Sequence, residues 1–350
     1  MLARRSSNQR RLSFFSLVLK SMATSALTNQ EARIVSLADA DLHGLEELFD
    51  EQCSEWLSLL GWDYTGASRL VRDVARRREL AGVVAVSGDV IVGFAFYVAE
   101  GSRCSIGDIY VSNRWRGLGI DRQMTVGMLQ AIEQLPRQRR TESQCVSIDN
   151  HAATEVFLAR GFERFDRAFM KVDLKSPAGE SKIGSGRRRG PEPEIELRAW
   201  EETDFARAVR VIHRSHRDEH DSRINSQYRT EEGCAELLSI LTESIWCGSF
   251  MRRVSRVAVD RATGNTLGIL IASRISARIG HLGQISVLPR YQGLGIGRRL
   301  IGAALSDFRQ LGFDSATLAV TTANIGAVHL YQSCGFDTIH EFPVFFNEHR

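Results

Sequence analysis

Apolar and polar residues in the second half of the chain recur with periods that predict a regular series of strands and helices. Residues 195–198 alternate as a short strand, and Asp204 is the expected N-cap of a helix that begins at Phe205. The helical period covers residues 205–217 and returns over residues 230–243. Three strands are predicted next, at residues 255–260, 267–275 and 280–287, with Gly264-Asn265 as the hairpin turn between the first two.

A glycine-rich turn separates the third of these strands from an amphipathic helix. Pro289 ends the strand, because proline cannot donate a hydrogen bond to a sheet. Residues 298–311 carry a helical apolar face at positions 300, 301, 304, 305 and 308, and Gly312 ends that helix. A buried strand at 316–320, a helix at 325–333 and a final strand at 338–345 complete the series. The pattern predicts a mixed α/β sheet with helices on both sides.

The first half of the chain repeats the same series. Residues 107–122 align without a gap onto residues 283–298, and nine of the sixteen positions are identical. The similarity continues at five positions whose spacing is the same in both copies. They are Asn150, Ala153, Phe157, Gly161 and Phe162 in the first copy and Asn324, Ala327, Tyr331, Gly335 and Phe336 in the second. A period this long is not that of a solenoid and indicates domain duplication.

The duplication divides the chain into four parts. Residues 32–173 and 194–350 are the two copies, and residues 174–193, rich in Gly, Ser, Pro and charge, form the expected flexible linker. The first thirty residues are rich in Arg and Ser and contain no acidic side chain. We therefore interpret residues 1–31 as a disordered tail, or as the result of translation that begins at Met22. A transit or signal segment is the alternative.

Composition narrows the classes of partner. The chain of 350 residues is 43% hydrophobic and 25% charged, and its formal net charge of +3 does not indicate a nucleic-acid-binding protein. The apolar residues 12–19 are too few to cross a membrane. Six cysteines without a Cys-x-x-Cys pair suggest neither a zinc site nor a redox dithiol, and we interpret them as reduced thiols of a cytoplasmic protein.

The turn Gln292-Gly293-Leu294-Gly295-Ile296-Gly297 has the composition of an anion-binding loop. Its three alternating glycines remove Cβ atoms that would keep a ligand from the main chain, and the following helix directs its positive end to the same point. A Rossmann turn would need glycine at Arg298, and a Walker A loop would end in Gly-Lys-Ser/Thr. A pyrophosphate is the expected ligand. A purely structural turn is the alternative.

This turn and the later block from Asn324 to Phe336 resemble the GNAT superfamily of CoA-dependent N-acyltransferases over nearly all of residues 194–350. The superfamily's phosphate loop, Gln/Arg-x-x-Gly-x-Gly/Ala, is matched by Gln292, Gly295 and Gly297. Its later block is matched by Asn324, Ala327, Leu330, Tyr331, Gly335 and Phe336. The resemblance implies two tandem GNAT folds, each with a mixed, mostly antiparallel central sheet flanked by helices.

The resemblance also implies a reaction, in which an acceptor amine attacks the thioester of acetyl-CoA directly. Acetyl-CoA is thus the expected acyl-donor cosubstrate. Main-chain N–H groups of Ile285 and Val287 are expected to stabilise the thioester oxygen. The remaining residues expected to bind acetyl-CoA are Gln292, Gly293, Leu294, Gly295, Ile296, Gly297, Arg298 and Asn324. Tyr331 lies where the superfamily commonly carries a tyrosine that protonates the thiolate, and a core tyrosine is the alternative.

The general base is the least defined part of the predicted site. Aligned from Gln292, His281 lies where some relatives have glutamate, and an ordinary imidazole can accept a proton at neutral pH. A surface histidine at the start of a strand is the alternative. Glu219, His220 and Asp221 are further candidates that the sequence does not rank.

The first copy departs from the GNAT pattern. Its turn has Asp121 where the second copy has Gly297, which places a carboxylate beside the expected pyrophosphate. Like charges ~4 Å apart repel by about 1–4 kcal/mol, depending on the local dielectric. Two further changes are Phe157 for Tyr331 and Ser105 for His281. We expect a degenerate copy with a structural or substrate-binding role, and Asp108 is the candidate base if the copy has a modified active site.

The sequence therefore predicts an acetyl-CoA-dependent N-acyltransferase whose second copy is catalytic. A non-catalytic acyl-CoA-binding or interaction protein built on the duplicated folds is the alternative. No transferable motif identifies the acceptor amine, which belongs either to a small molecule or to a protein. The charged residues 213–223 either line an acceptor groove or form a solvated helix face and loop. Whether the chain forms a homodimer stays open.

Overall fold

A computed structural model describes five ranges of the chain, which are residues 32–136, 139–144, 151–175, 194–217 and 219–349. The predicted amino-terminal extension, residues 1–31, lies outside the described residues, as do residues 176–193 of the predicted linker. Leu174 is buried, and its N–H donates to the carbonyl of Asp314 at 2.9 Å. The first linker position therefore packs against the second copy.

The first copy consists of six strands and four helices among the described residues. The strands are β1 (Arg33–Ser36), β2 (Ala81–Ser87), β3 (Val90–Glu100), β4 (Arg103–Val111), β5 (Arg140–Ser143) and β6 (Glu163–Asp173). The helices are α1 (Leu45–Leu60), α2 (Thr65–Arg76), α3 (Ile120–Glu133) and α4 (His151–Ala159).

The second copy follows the same order with an additional short strand and helix. Its strands are β7 (Ile195–Ala199), β8 (Ser249–Phe250), β9 (Arg256–Asp260), β10 (Thr266–Ser276), β11 (Ile279–Val287), β12 (Ser315–Thr321) and β13 (Asp337–Glu348). Its helices are α5 (Phe205–His216), α6 (His220–Ile224), α7 (Glu231–Glu243), α8 (Ile296–Gln310) and α9 (Ile325–Ser333). No described helix is long and apolar enough to cross a membrane.

The predicted mixed α/β fold is confirmed, with three differences in detail. The sequence pattern did not predict β8 or α6. Helix α8 begins at Ile296, two residues before the predicted start, because Gly295 is its N-cap in the left-handed conformation. Asp204 does precede α5, but its carboxylate does not cap that helix. It pairs with Arg198 at 2.6 Å and accepts the N–H of Glu201 at 2.9 Å.

The described strands of both copies join in one continuous sheet. Its order is β1-β2-β3-β4-β5-β13-β6-β12-β11-β10-β9-β7, and β8 pairs with β10. Neighbouring strands are antiparallel except for the parallel pairs β4 with β5 and β11 with β12. The two copies therefore meet at the centre of the sheet rather than as separate sheets.

The copies exchange their final strands at that centre. Strand β13, which ends the second copy, pairs with β5 of the first copy, and β6, which ends the first copy, pairs with β12 of the second. The two exchanged strands also pair with each other. Each copy thus completes the sheet of the other.

The hydrophobic cores follow this exchange. Phe345 of β13 is fully buried in the core of the first copy, where its ring stacks on Phe157 with centroids 4.4 Å apart. Ala168, Met170 and Val172 of β6 are buried in the core of the second copy. Burial of large apolar side chains is the main stabilising term in folding, so neither copy has a complete core without the other.

A buried ion cluster reinforces the junction. Arg140 in β5 pairs with Glu142 of the same strand and with Glu348 at the end of β13. Its guanidinium also donates to the main-chain carbonyls of Arg223 and Ile224, in the last turn of α6. A residue of the first copy therefore holds a helix of the second copy in place.

Substitution of Phe345 by alanine tests the strand exchange. We expect F345A to lower the free energy of unfolding by about 3–5 kcal/mol, because a buried aromatic ring leaves a cavity. Hydrogen exchange should increase first in α3 and α4, although Phe345 belongs to the second copy. Ile339→Ala, on the same strand with a side chain 40% exposed, is the matched control and should change stability by much less. An increase in hydrogen exchange that is confined to α8 and α9 would contradict the exchange of strands between the copies.

Candidate active site

A gap opens in the sheet where β11 and β12 separate. The two strands pair in parallel only from Ile279 with Ser315 to Leu282 with Leu318, whereas β11 continues to Val287. A β-bulge at Gly283 accompanies the separation, since Leu282 pairs with Ala272 and Gln284 with Ile271. A bulge adds one residue on one strand and turns the following side chains.

The predicted anion-binding turn lies at the open end of this gap. Gly293 and Gly295 have φ angles of 74° and 76°, which favour glycine, and a Cβ at Gly295 would meet no atom within 4 Å. Gly297 has a different reason to lack a side chain, because a Cβ there would lie 3.1 Å from Leu330 of α9. The first N–H groups of an α-helix have no partner within the helix, and residues 295–298 at the start of α8 line the cavity that opens from the gap.

Three predicted binding side chains also have structural roles. The Gln292 amide donates to the carbonyl of Val287 at 3.2 Å, which ties the turn to the end of β11. Arg298 donates to the carbonyl of Ser333 at 3.1 Å, at the end of α9. The side-chain oxygen of Asn324 accepts the N–H of Ala327 at 3.1 Å and caps that helix. These contacts fix the turn and α9 against each other.

The gap and the turn open into a cavity of about 810 Å³. The predicted acetyl-CoA residues that line it are Ile285, Val287, Gln292, Gly293, Leu294, Gly295, Ile296, Gly297, Arg298 and Asn324. Tyr331 lines the same cavity. The structure thus brings together every predicted site residue except His281. Among the described residues, no group of three or more His, Cys, Asp or Glu side chains is arranged to hold a metal ion.

His281 lies in the hydrophobic core rather than in the cavity lining. Its Nδ1 is 3.0 Å from the hydroxyl of Thr317, and its ring contacts Trp62 of the first copy and Phe169 of the exchanged strand. Burial, with a smaller contribution from Arg167, lowers the pKa of His281 to about 3. The imidazole is therefore neutral at physiological pH, and it does not line the cavity.

A different histidine faces the cavity, and the sequence analysis did not single it out. His216, in the last turn of α5, is buried and stacks on Tyr228 with ring centroids 4.2 Å apart. Its Nδ1 is 3.1 Å from the carbonyl of Ile212, which can only accept, so Nδ1 carries the proton and Nε2 has the free electron pair. Burial lowers the pKa of His216, and the Asp221 carboxylate opposes that shift.

Polar side chains hold His216 in this orientation. The Tyr228 hydroxyl donates to the Gln284 carbonyl oxygen at 2.9 Å. The Gln284 amide then donates to Ser286 at 2.9 Å and approaches Nε2 of His216 at 3.4 Å. Because Gln284 and Ser286 follow the bulge at Gly283, the separation of the strands also builds this network.

The three further base candidates divide between the cavity and the surface. Glu219 and Asp221 line the cavity, and His220 is exposed beside Phe165. The Asp221 carboxylate accepts the hydroxyl of Thr321 at 2.6 Å and lies 3.9 Å from Nε2 of His216. Asp221 is thus placed to stabilise a positive charge on His216.

Tyr331 projects from α9 into the cavity. Burial, reinforced by the Asp221 carboxylate, raises the pKa of Tyr331, so the phenol stays protonated at neutral pH. Its hydroxyl has no hydrogen-bond partner within the part of the chain that the structure describes. A protonated, unpaired hydroxyl at this position is able to donate to a ligand.

Comparison with known proteins identifies the family. The model of the Acetyltransferase (GNAT) family matches residues 42–162 and 222–336, which is one region in each copy and more than half of the chain. The chain belongs to this family. The predicted resemblance and the two tandem GNAT folds are confirmed.

Individual relatives match the GNAT chain over shorter stretches. A mycothiol acetyltransferase of Thermobispora bispora is 43% identical over 58 residues, which are 17% of this chain and 20% of the relative. A spermidine N(1)-acetyltransferase of Vibrio cholerae is 38% identical over 84 residues, which are 23% of this chain and 48% of the relative. The matches thus span a fifth to a half of these relatives.

Solved structures match almost the whole GNAT chain in fold. A GCN5-related N-acetyltransferase from Sphaerobacter thermophilus has a TM-score of 0.61 at 18% identity, over 91% of this chain and 95% of that one. A tandem GNAT protein from the clavulanic acid biosynthesis pathway has a TM-score of 0.53 at 15% identity, over 91% and 98%. At such low identity these matches establish the fold alone.

In the first GNAT copy the equivalent turn keeps its shape, but acidic side chains of α1 pair with residues at its start. Gly119 has a φ of 76°, as Gly295 does. Arg116, at the position of Gln292, donates to Glu55 of α1 at 2.5 and 2.9 Å. Glu51 of α1 accepts the N–H of Asn113 at 2.7 Å.

The carboxylates of Asp121 and Asp108 also accept hydrogen bonds from other residues of the first copy. Asp121 is buried, and its carboxylate accepts the N–H of Arg122 at 2.8 Å, in the first turn of α3. Asp108 is buried, accepts the N–H of Ile109 at 2.8 Å, and is hydrogen-bonded by Gln52 of α1. Carboxylates of the first copy therefore lie at both ends of its turn, bonded to the Arg116 side chain and to the N–H of Arg122.

Transfer of the first copy's aspartate to the second copy tests the anion site. We expect Gly297→Asp to weaken acetyl-CoA binding by about tenfold to several hundredfold, because it places a carboxylate at the start of α8 and crowds Leu330. Isothermal titration calorimetry measures the affinity. Gly302→Asp, an exposed position of α8 where a Cβ meets no atom within 4 Å, is the control and should leave it unchanged. Equal affinity of both variants would contradict the assignment.

Proposed function

We propose that the second copy is an acetyl-CoA-dependent N-acetyltransferase in which an acceptor amine attacks the thioester directly. The observation that carries this proposal is the cavity at the separation of β11 and β12, bounded by the glycine turn, His216 and Tyr331. Family membership and relatives named as mycothiol and spermidine acetyltransferases support acetyl transfer.

The glycine turn and the first turn of α8 are suited to the pyrophosphate of acetyl-CoA. The main-chain N–H groups of residues 293–298 supply the donors, and the helix supplies a positive end. The unpaired edge of β11 is suited to the pantetheine arm, which can hydrogen-bond as an added strand. In that position the N–H groups of Ile285 and Val287 stabilise negative charge on the thioester oxygen.

We assign the general base to His216 rather than to His281. Nε2 of His216 has the free electron pair and takes a proton from the acceptor ammonium, and Asp221 stabilises the resulting imidazolium. The amine nitrogen then bonds to the acetyl carbon as the bond from that carbon to sulfur breaks. Tyr331 gives its proton to the departing thiolate, and the newly bonded nitrogen gives its surplus proton to the Tyr331 phenolate, which leaves a neutral amide.

We assign the first copy a structural and substrate-shaping role. Its carboxylates bond to Asn113 and Arg116 at the start of its own turn, and Phe157, which replaces Tyr331, packs on Phe345. Its strand β6 and its residue Arg140 instead support the walls of the second copy's cavity.

Two substitutions test the proton transfers. We expect His216→Gln and Tyr331→Phe each to lower kcat by about 10²-fold or more, because each removes a proton-transfer group. In the unaltered protein, kcat/KM should be flat at neutral pH and fall on the acid side below the ordinary pKa of histidine, because burial lowers the pKa of His216. Release of CoA with a panel of amines measures both.

His213→Gln is the matched control, since His213 lies on α5 but contacts Arg229 outside the cavity. It should keep both the rate and the acid limb, whereas His216→Gln should lose the limb. Acetyl-CoA binding without turnover of any amine would favour the non-catalytic alternative. An acid limb that persists in His216→Gln would exclude His216 as the base.

A further inference from the structure

The exchanged strand brings a basic residue of the first copy into the cavity of the second. Arg167 lies on β6, opposite Thr321 in the pairing of β6 with β12, and lines the cavity. The positive charge of Arg167 acts on Tyr228 and Tyr331, which line the same cavity, because it partly offsets the rise in the pKa of both phenols. The first copy therefore contributes a guanidinium to the second copy's active site.

The hydrogen-bonding capacity of Arg167 is only partly used. One terminal nitrogen donates to Gln144 at 2.7 Å, and the other approaches the carbonyl of Ala319 at 3.4 Å. Its Nε is buried without a hydrogen-bond partner, and a guanidinium has five N–H groups to satisfy. Arg167 also forms no ion pair with any residue in the described ranges. A partly buried guanidinium that has no counter-ion among the described residues favours an anionic ligand.

Negative charge lies close by on the same wall. The Asp221 carboxylate accepts the hydroxyl of Thr321, which is the residue paired with Arg167 across the two strands. Glu219 lines the cavity as well. Asp221 and Arg167 are thus neighbours that form no ion pair with each other. The Asp221 carboxylate and the Arg167 guanidinium are therefore both available to a ligand that carries a positive and a negative group.

Resting on the proposed function, we propose that the acceptor is an aminocarboxylate. Asp221 and Glu219 attract its ammonium group toward His216, and Arg167 binds its carboxylate in a charge-assisted hydrogen bond. Arg167 is then a specificity-determining residue that the first copy supplies. It recognises the acceptor and takes no part in acetyl-CoA binding.

Matched pairs of amines test this inference. The probes are glycine, β-alanine, 4-aminobutyrate, phenylalanine and glycylglycine, each compared with its own carboxamide. We expect the unaltered protein to favour the carboxylate member of at least one pair by tenfold or more in kcat/KM. Arg167→Met should abolish that preference, and Arg167→Lys should restore part of it. Arg164→Met, an exposed position on β6 whose partner is Asp166, should keep it.

Two binding measurements keep the outcomes separate. Calorimetry should give the same acetyl-CoA affinity for Arg167→Met as for the unaltered protein, and a loss would place Arg167 in the acetyl-CoA site and overturn the inference. Thermal shifts of CoA-loaded protein report carboxylate binding without turnover, because CoA carries no acetyl group to transfer. The inference is also overturned if carboxamides are acetylated as well as carboxylates, or if no carboxylate binds. The proposed function fails only if acetyl-CoA is not bound or no amine is acetylated.

Discussion

Hydrogen bonding of β6 between β12 and β13 is the constraint on which the rest of the molecule depends. A final strand that pairs across copies cannot leave without exposing apolar side chains of both cores, since Phe345 fills one core and Met170 the other. The duplication therefore produces one cooperative sheet. Neither copy can be regarded as an independent domain with a separate stability.

The candidate active site depends on the pairing of strands between the two copies. One wall of the cavity is β12, whose outer neighbour is a strand of the first copy, and the helix that carries Asp221 is held at its end by Arg140 of the first copy. Under the proposed function, the first copy has no acetyl-CoA chemistry of its own and instead shapes and charges the cavity of the second. This explains how the turn of the first copy could acquire Glu51 and Glu55 as partners while its fold persisted.

Local pattern was sufficient to predict the elements of the second copy other than β8 and α6, together with the turn at Gln292. Glycine spacing, the proline at 289 and the helical face of α8 each depend on residues close in sequence. The pairing partner of β13 could not be predicted in this way, because the same alternating residues would fit either copy's sheet. The bulge at Gly283 was also hidden, and with it the side of β11 on which Gln284 faces His216.

The histidines show the same limit. Sequence alignment favoured His281, but the packing of Trp62 from the other copy buries it in the core. His216 lies four residues after Ile212 on the buried face of α5, and in the sequence it belongs to the group of charged residues 213–223. What could have drawn attention to it is a histidine in a position where an apolar residue is expected.

The number of acetyl-CoA molecules bound per chain is the most direct test of a single working site in a double fold. Titration of the unaltered protein followed by hydrogen exchange should give one acetyl-CoA per chain, with protection at residues 292–298 and at the ends of β11 and β12. Two molecules per chain, or equal protection at residues 116–122, would contradict the account.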